Sequence, residues 1–252
     1  MLDVLAATRP RGVARRVLAS GLVDRLAAPH GIDRYLELVD PRWVVRDVRA
    51  QVVTARRRTP DTVTLTLRPT AAWNGFRAGQ HVMVGVTVDG VVHERSFSLA
   101  GSPHRADGTL ELTVRANPDG RVSRHLVAHA RRGTVLRLSQ ARGDFVLPAP
   151  KDRDRHLLLV AGGSGVTPVL SMFRALADEG HRGPVTFLHY ERTLDQVCYQ
   201  PELAATAAAL PDGRVLVALT REPGRGDLDG HFGAEHLAAV TDDPSGLDVY
   251  VC

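Results

Sequence analysis

The run His93-Glu94-Arg95-Ser96-Phe97-Ser98-Leu99-Ala100-Gly101 carries residue types suited to a flat, phosphate-bearing ligand. Its period-two alternation predicts a strand, with Val92, Glu94, Ser96 and Ser98 on one face and Arg95, Phe97 and Leu99 on the other. A guanidinium can bind a pyrophosphate through two parallel hydrogen bonds. An aromatic ring can lie against a ligand ring, and a hydroxyl beside it can meet a ring heteroatom. A strand with one Arg and one Phe is by itself only a strand, and two further stretches give it a context. Gly120-Arg121-Val122-Ser123 leads into a helical stretch, Arg124–Arg131. A helix start offers an anion free backbone N–H groups and the positive end of the helix dipole. Gly162-Gly163-Ser164-Gly165-Val166-Thr167-Pro168 follows the continuous apolar run His156–Ala161 and opens a helix through Val169, Phe173, Leu176 and Ala177. Its three glycines let backbone approach a phosphate, and Pro168 starts the helix without wasting an N–H. The spacing is not G-x-G-x-x-G, and no acidic residue stands in the usual ribose-binding place. For Gly120 and Ser123 the alternatives are an ordinary turn residue and an ordinary cap.

The elements that must position these motifs divide the chain in three. Residues 1–40 form a helical extension: Val13, Val17, Leu22 and Leu26 recur at helical spacing, as do Ile32, Tyr35, Leu36 and Val39 after the break at Pro29-His30-Gly31. This is either an arm packed on the body of the protein or a basic amphipathic surface that docks a partner or an anionic membrane. Residues 41–150 read as all-β, with strands at Val44–Arg57, Thr62–Arg68, His81–Val88, Val91–Ala100, Leu110–Ala116 and Thr134–Ser139. Turn chemistry at Thr59-Pro60-Asp61, Val88-Asp89-Gly90 and Asp107-Gly108 separates several of them. Six short antiparallel strands predict a closed or nearly closed barrel, because closure removes exposed edges. After the charged linker Lys151–Arg155, residues 151–252 alternate strand and helix. Strands at His156–Ala161, Pro184–Tyr190, Val215–Thr220 and Asp248–Cys252, with a helix from about Pro201 to Leu210, predict a doubly wound parallel sheet. Ligand binds such a sheet at the carboxyl ends of its strands.

Composition narrows the function classes. The 252 residues are 44% hydrophobic and 24% charged, the balance of a globular protein with a buried core. No apolar run approaches the ~18 residues of a membrane span, and the N-terminus lacks a secretion signal's uninterrupted apolar core. The expected location is cytoplasmic, peripheral at a membrane only through a partner. Cys198 and Cys252 are the two cysteines, too few for a disulfide framework or a four-cysteine iron–sulfur cluster in this chain. The net charge of +4 is nearly all arginine, Lys151 being the single lysine. With only 5% aromatics, no basic face with interleaved rings argues for nucleic acid.

Taken in order, Arg-Ser-Phe-Ser on a barrel strand, Gly-x-x-Ser at a helix start and Gly-Gly-Ser-Gly-Val-Thr-Pro after a buried strand resemble the ferredoxin–NADP reductase superfamily over roughly residues 44–252. The family pattern at the first motif is Arg-x-Tyr-Ser, and Phe97 keeps the ring while losing its hydroxyl. The resemblance implies FAD on the barrel, with Arg95 on the pyrophosphate, Phe97 against the flavin and Ser98 near its reactive nitrogen. It also implies that Gly120 to Ser123 hold the pyrophosphate and that Gly162 to Pro168 cradle a nicotinamide nucleotide. Ser96 and Arg115 join the cofactor-binding set, and Ser98, Thr167 and Cys252 stand where hydride passes from nicotinamide to flavin. No histidine is expected to act as acid or base. Arg192 and Arg221 follow the second and third strands of the nucleotide half, where family members that prefer NADPH often carry arginines; NADH stays possible. Within the family the sequence looks most like reductases that feed acyl desaturases and ring-hydroxylating oxygenases. An iron–sulfur protein or domain is thus the expected acceptor, with a membrane-bound desaturase or oxygenase beyond it. Family members continue past Val-Tyr-Val-Cys, and relatives of this branch carry a [2Fe–2S] domain. The chain is therefore expected to be a fragment, or to use a separate iron–sulfur partner. A flavin-binding regulatory module without turnover and a reductase of free flavin are the alternative functions.

Overall fold

The computed structural model of the chain describes residues 17–18, 20–28 and 30–252. Six strands form the first sheet: β1 (Val48–Thr59), β2 (Thr62–Pro69), β3 (His81–Val88), β4 (Val91–Ser98), β5 (Leu110–Arg115) and β6 (Val135–Leu138). They run antiparallel in the order β4-β3-β6-β1-β2-β5. The two edge strands meet at one corner, where Leu99 bridges Leu112 and the Ala100 N–H donates to the Glu111 carbonyl at 2.8 Å. That seam makes the barrel nearly closed. Alternate residues of β1, β2, β3, β5 and β6 fill it, among them Leu65, Leu67, Val82, Val84, Leu112 and Val114, together with Leu99 just beyond β4. Helix α3 (Arg121–His129) packs on this core through Val122 and Leu126.

The second half holds β7 (His156–Gly162), α4 (Val166–Asp178), β8 (Val185–Glu191), α5 (Gln200–Ala208), β9 (Gly213–Leu219), β10 (Leu228–Asp229), α6 (Ala234–Val240) and β11 (Leu247–Val251). Its five strands are all parallel, in the order β10-β9-β8-β7-β11. Residues 157–161 are buried on both faces, Leu157, Leu159 and Ala161 in one core and Leu158 and Val160 in the other. This is why the sequence there reads as an unbroken apolar run. β10 and α6 have no counterpart in the sequence reading, being too short to show a period, and β9 starts two residues earlier than expected.

Two further boundaries shift for identifiable reasons. The first strand starts at Val48, not Val44, because the Asp33 carboxylate accepts the N–H groups of Val45 (2.8 Å), Arg46 (2.9 Å) and Asp47 (3.2 Å), which are then lost to a ladder. A single 3-10 turn, Pro41–Trp43, precedes them. The fourth strand ends at Ser98, where its neighbour changes from β3 to the corner bridge.

The helical extension contains α1 (Gly21–Leu26) and α2 (Ile32–Val39); Val13 and Arg15-Arg16 lie outside the described residues. α2 docks on the barrel through its acids. Asp33 holds the amides just named, and Glu37 pairs with the buried Arg49 at 3.0 Å. Of its apolar stripe Ile32 and Leu36 are half-buried, while Tyr35 and Val39 stay exposed. The second helix of the extension is thus held on the barrel by Asp33 and Glu37.

Candidate active site

A cavity of about 540 Å³ opens between the two halves, a volume in the range of small-molecule sites. From the barrel it is lined by Arg95, Ser96, Phe97, Ser98, Thr113 and Arg115, and by Gly120, Val122 and Ser123 at the start of α3. From the other half it is lined by Gly162, Ser164, Gly165, Thr167, Pro168 and Cys252. Three motifs far apart in sequence therefore share one space. Strict alternation would send only Arg95 and Phe97 to it, yet all four residues of Arg95–Ser98 line it. The reason is that β4 is an edge strand, paired only with β3 along its length and overhanging the barrel, so it is reached from both sides. Phe97 packs against the barrel core, while the exposed Arg95 guanidinium donates to the Glu94 carbonyl at 2.7 Å.

Two helix N-termini point at the cavity, and both are capped by glycine without a side-chain cap: Gly120 on α3 and Gly165 on α4. On α3 the first N–H groups are left for another acceptor, whereas on α4 the first N–H, that of Val166, turns back to the Gly163 and Ser164 carbonyls. Neither glycine tolerates a side chain. A Cβ at Gly120 would lie 2.6 Å from Ser123 Oγ, and one at Gly165 would lie 2.2 Å from the Cys252 carbonyl. Cys252 reaches this place by extending the β11–β7 ladder, its N–H donating to the Val160 carbonyl at 3.0 Å and its carbonyl accepting from Gly162 N–H at 2.8 Å. Thr167 Oγ1 donates to the Ser164 carbonyl at 3.2 Å, which fixes the hydroxyl inside the glycine turn. Ser123 is employed within its own loop, where its Oγ accepts the Asn117 N–H at 3.1 Å and donates to the Gly120 carbonyl at 3.3 Å. Its hydroxyl shapes the loop, so the N–H groups are the free donors of that stretch.

A second cavity of about 590 Å³ adjoins the first and shares Arg115, Gly162 and Ser164 with it. It adds Gly163, Arg192, Glu191, Thr220 and Asp61. Arg115 stands between the two, held by Asp61 at 3.2 Å from the barrel and by Glu191 at 3.4 Å from the end of β8. Burial raises the Glu191 carboxyl above the usual carboxylate range, against the pull of Arg115. At Asp61 burial acts in the same direction but is outweighed by hydrogen bonds from Thr59, Thr62 and Arg115, so that carboxyl sits low. Arg192 lines this second cavity. Arg221 lines neither, although its N–H donates to the Arg192 carbonyl at 2.9 Å. Val166 is buried in the core of the second half, and Arg121 is exposed at the first position of α3. Among the described residues no group of three or more His, Cys, Asp and Glu could hold a metal ion. No described helix is long and apolar enough to cross a membrane.

Tyr199, which sequence reading passed over, is buried at the seam between the halves with its hydroxyl against Thr64 and Thr113 of the barrel. No local pattern marks it. Its significance comes from contacts more than eighty residues away in sequence.

The donor set fits a dinucleotide: the uncapped start of α3 and a guanidinium for phosphates, a core-packed ring for a flat heterocycle, and glycines where a Cβ would fill the cradle. Residues 49–147 match the family model for an oxidoreductase FAD-binding domain, and residues 159–252 match that for an oxidoreductase NAD-binding domain. An NADPH oxidoreductase of Mycobacterium tuberculosis is 39% identical over 211 residues, covering 82% of this chain and 55% of the relative. Methane monooxygenase component C of Methylosinus trichosporium is 30% identical over 208 residues, covering 81% and 58% respectively. The crystal structure of an Amycolatopsis cytochrome P450 reductase superposes with a TM-score of 0.71 at 26% identity, over 82% of this chain and 61% of that one. The chain spans about half the length of the curated relatives it matches. Fold and site thus define a two-domain oxidoreductase architecture, an FAD-binding barrel followed by an NAD-binding parallel sheet. The chain belongs to the ferredoxin–NADP reductase superfamily.

Proposed function

We propose that the chain is an FAD-dependent reductase that takes electrons from NADPH and delivers them to an iron–sulfur centre of an oxygenase or desaturase system. The observation that carries this reading is the single cavity lined by Arg95–Ser98, the start of α3 and the glycine turn before α4. The names of the relatives, an NADPH oxidoreductase and a monooxygenase component, support it. The functional units are the barrel within residues 41–150 and the nucleotide half within 151–252. The two-cysteine composition favours a reducing, cytoplasmic setting.

FAD, once bound, links the two-electron chemistry of a nicotinamide to one-electron transfer. The residues provide binding and alignment. Arg95 and the free N–H groups after Gly120 would hold the flavin's pyrophosphate, and Phe97, backed by the barrel core, would give the ring a rigid wall. Ser98 offers its hydroxyl to the ring edge. The glycine turn at Gly163 and Ser164 would hold the nucleotide phosphates, while Thr167 and Cys252 line the cavity beside it. Arg115, tied to a carboxylate on each side, keeps a fixed positive charge between the two cavities. Arg192, with Arg221 beside it, favours a nucleotide bearing a 2′-phosphate.

The test is an anaerobic titration of the FAD-reconstituted chain with NADPH and then NADH. The flavin absorbance should bleach at lower NADPH than NADH. In the double variant Arg192→Ala, Arg221→Ala that ratio should fall, and an unchanged ratio would make these arginines bystanders. A flavin band that neither nucleotide bleaches would mean a flavin-binding module without turnover. Turnover of added flavin by a chain that retains none would mean a reductase of free flavin.

A further inference from the structure

We propose that Tyr199 is a positioning residue that locks the nucleotide half onto the barrel and so sets the width of the cavity between them. The inference rests on the reading of that cavity as the meeting place of two cofactors.

Tyr199 is only 3% exposed and precedes α5 in a left-handed conformation, φ 70° and ψ 15°. A non-glycine residue held there is strained, and persists only where its surroundings over-determine it. Here they do. The hydroxyl meets Thr64 Oγ1 at 3.2 Å, Glu111 Oε1 at 3.4 Å and Thr113 Oγ1, all on the barrel. Two guanidiniums lie against the ring, Arg58 of β1 at 4.4 Å and Arg174 of α4 at 5.2 Å. Each arginine also crosses the seam. Arg58 pairs with Glu202 of α5, and Arg174 bonds Glu111 at 2.7 Å and the Ala100 carbonyl at 2.9 Å. Burial pushes the phenol up to about 12, so it stays protonated and able to donate at any working pH.

The clamp acts on the site through two short paths. Thr113 is itself a cavity-lining residue, so the Tyr199 hydroxyl backs the cavity wall directly. Arg174 belongs to α4, which follows directly on the glycine turn and carries Thr167 in its first turn. Tyr199 thus ties the β5 wall to the helix that carries the opposite wall. Aligning two rings depends steeply on such distances, and misplacement by about 1 Å can cost a hundredfold in rate.

The variants are Tyr199→Leu and Tyr199→Phe, each assayed for FAD content, NADP+ affinity and anaerobic flavin reduction by NADPH. Tyr199→Leu should keep FAD and bind NADP+ within about threefold of wild type, while flavin reduction slows about tenfold or more. Tyr199→Phe, which keeps the ring between the arginines, should recover most of that rate. An unchanged rate in Tyr199→Leu would overturn the proposal, as would losses of binding and rate in equal proportion. Should that variant fail to fold, Arg58→Met removes one face of the clamp, and an unchanged reduction rate there would equally overturn it. Amide hydrogen exchange needs no cofactor and separates the two readings. If the wild type takes up no FAD, the cofactor reading fails, yet Tyr199→Leu should still raise exchange at residues 100–113 and in α4 while the interior of β7 stays protected. Unchanged exchange at that seam would overturn the clamp.

Discussion

At the scale of single residues, two glycines of one turn are required for different reasons. Gly163 has φ +54° with open space around its missing Cβ, so its constraint is backbone conformation. Gly165 has an ordinary helical conformation, and its constraint is the Cys252 carbonyl 2.2 Å from where a Cβ would stand. Gly163→Ala should therefore cost only about 1 kcal/mol. Gly165→Ala must displace the end of β11 and should weaken NADP+ binding while FAD binding is retained; titration of both ligands checks this. His189 is a different case. It is fully buried against Phe187, neither ring nitrogen has a partner, and burial alone depresses its pKa to about 4. The unfolded chain therefore takes up a proton near the ordinary histidine pKa that the folded chain refuses until about pH 4. Its contribution to stability is present at neutral pH and is lost as pH falls from about 6.5 toward 4. Between pH 7 and pH 5 this amounts to about 2 kcal/mol. Urea unfolding at both pH values should give that loss in the wild type, and His189→Leu should lack that part of it.

At the scale of elements, α2 is anchored to the barrel by its two acids, next to an apolar stripe of which only Ile32 and Leu36 are half-buried. Three backbone N–H groups converge on Asp33, and Glu37 neutralises the buried Arg49. The buried Val45 N–H and the buried Arg49 charge each gain a partner in this way. Asp33→Ala should destabilise the arm by about 1–3 kcal/mol. Faster amide exchange at residues 45–47, with the barrel strands unchanged, is the expected signature.

At the scale of the molecule, the halves are joined by bonds as well as by a linker. Ser171 Oγ donates to the Gly101 carbonyl at 2.7 Å, and Arg174 bridges to Glu111. Thermal unfolding should be a single transition, and each cofactor, bound to one half, should stabilise both. At a hundredfold excess over its dissociation constant a ligand contributes about 2.7 kcal/mol, a rise in Tm of roughly 5–10 °C. Two separated transitions, with FAD moving only one, would show that the seam does not couple the halves.

What the sequence determined by itself were the features written in local periods and turn chemistry. The alternation in residues 48–138 and the unbroken apolar run of β7 distinguish a half-solvated antiparallel barrel from a doubly buried parallel sheet. The glycine turn and the Arg-Ser-Phe-Ser strand were legible because the chemistry they can do depends on adjacent residues. The tertiary structure decided everything that depends on residues distant in sequence. It brought three motifs to one cavity, left Arg221 out of it, turned the Ser123 hydroxyl into its own loop and set α2 on its acids. It also gave Tyr199 its place between Arg58 and Arg174, two partners whose approach no local pattern encodes, because only the packing of one half on the other brings them to the same ring.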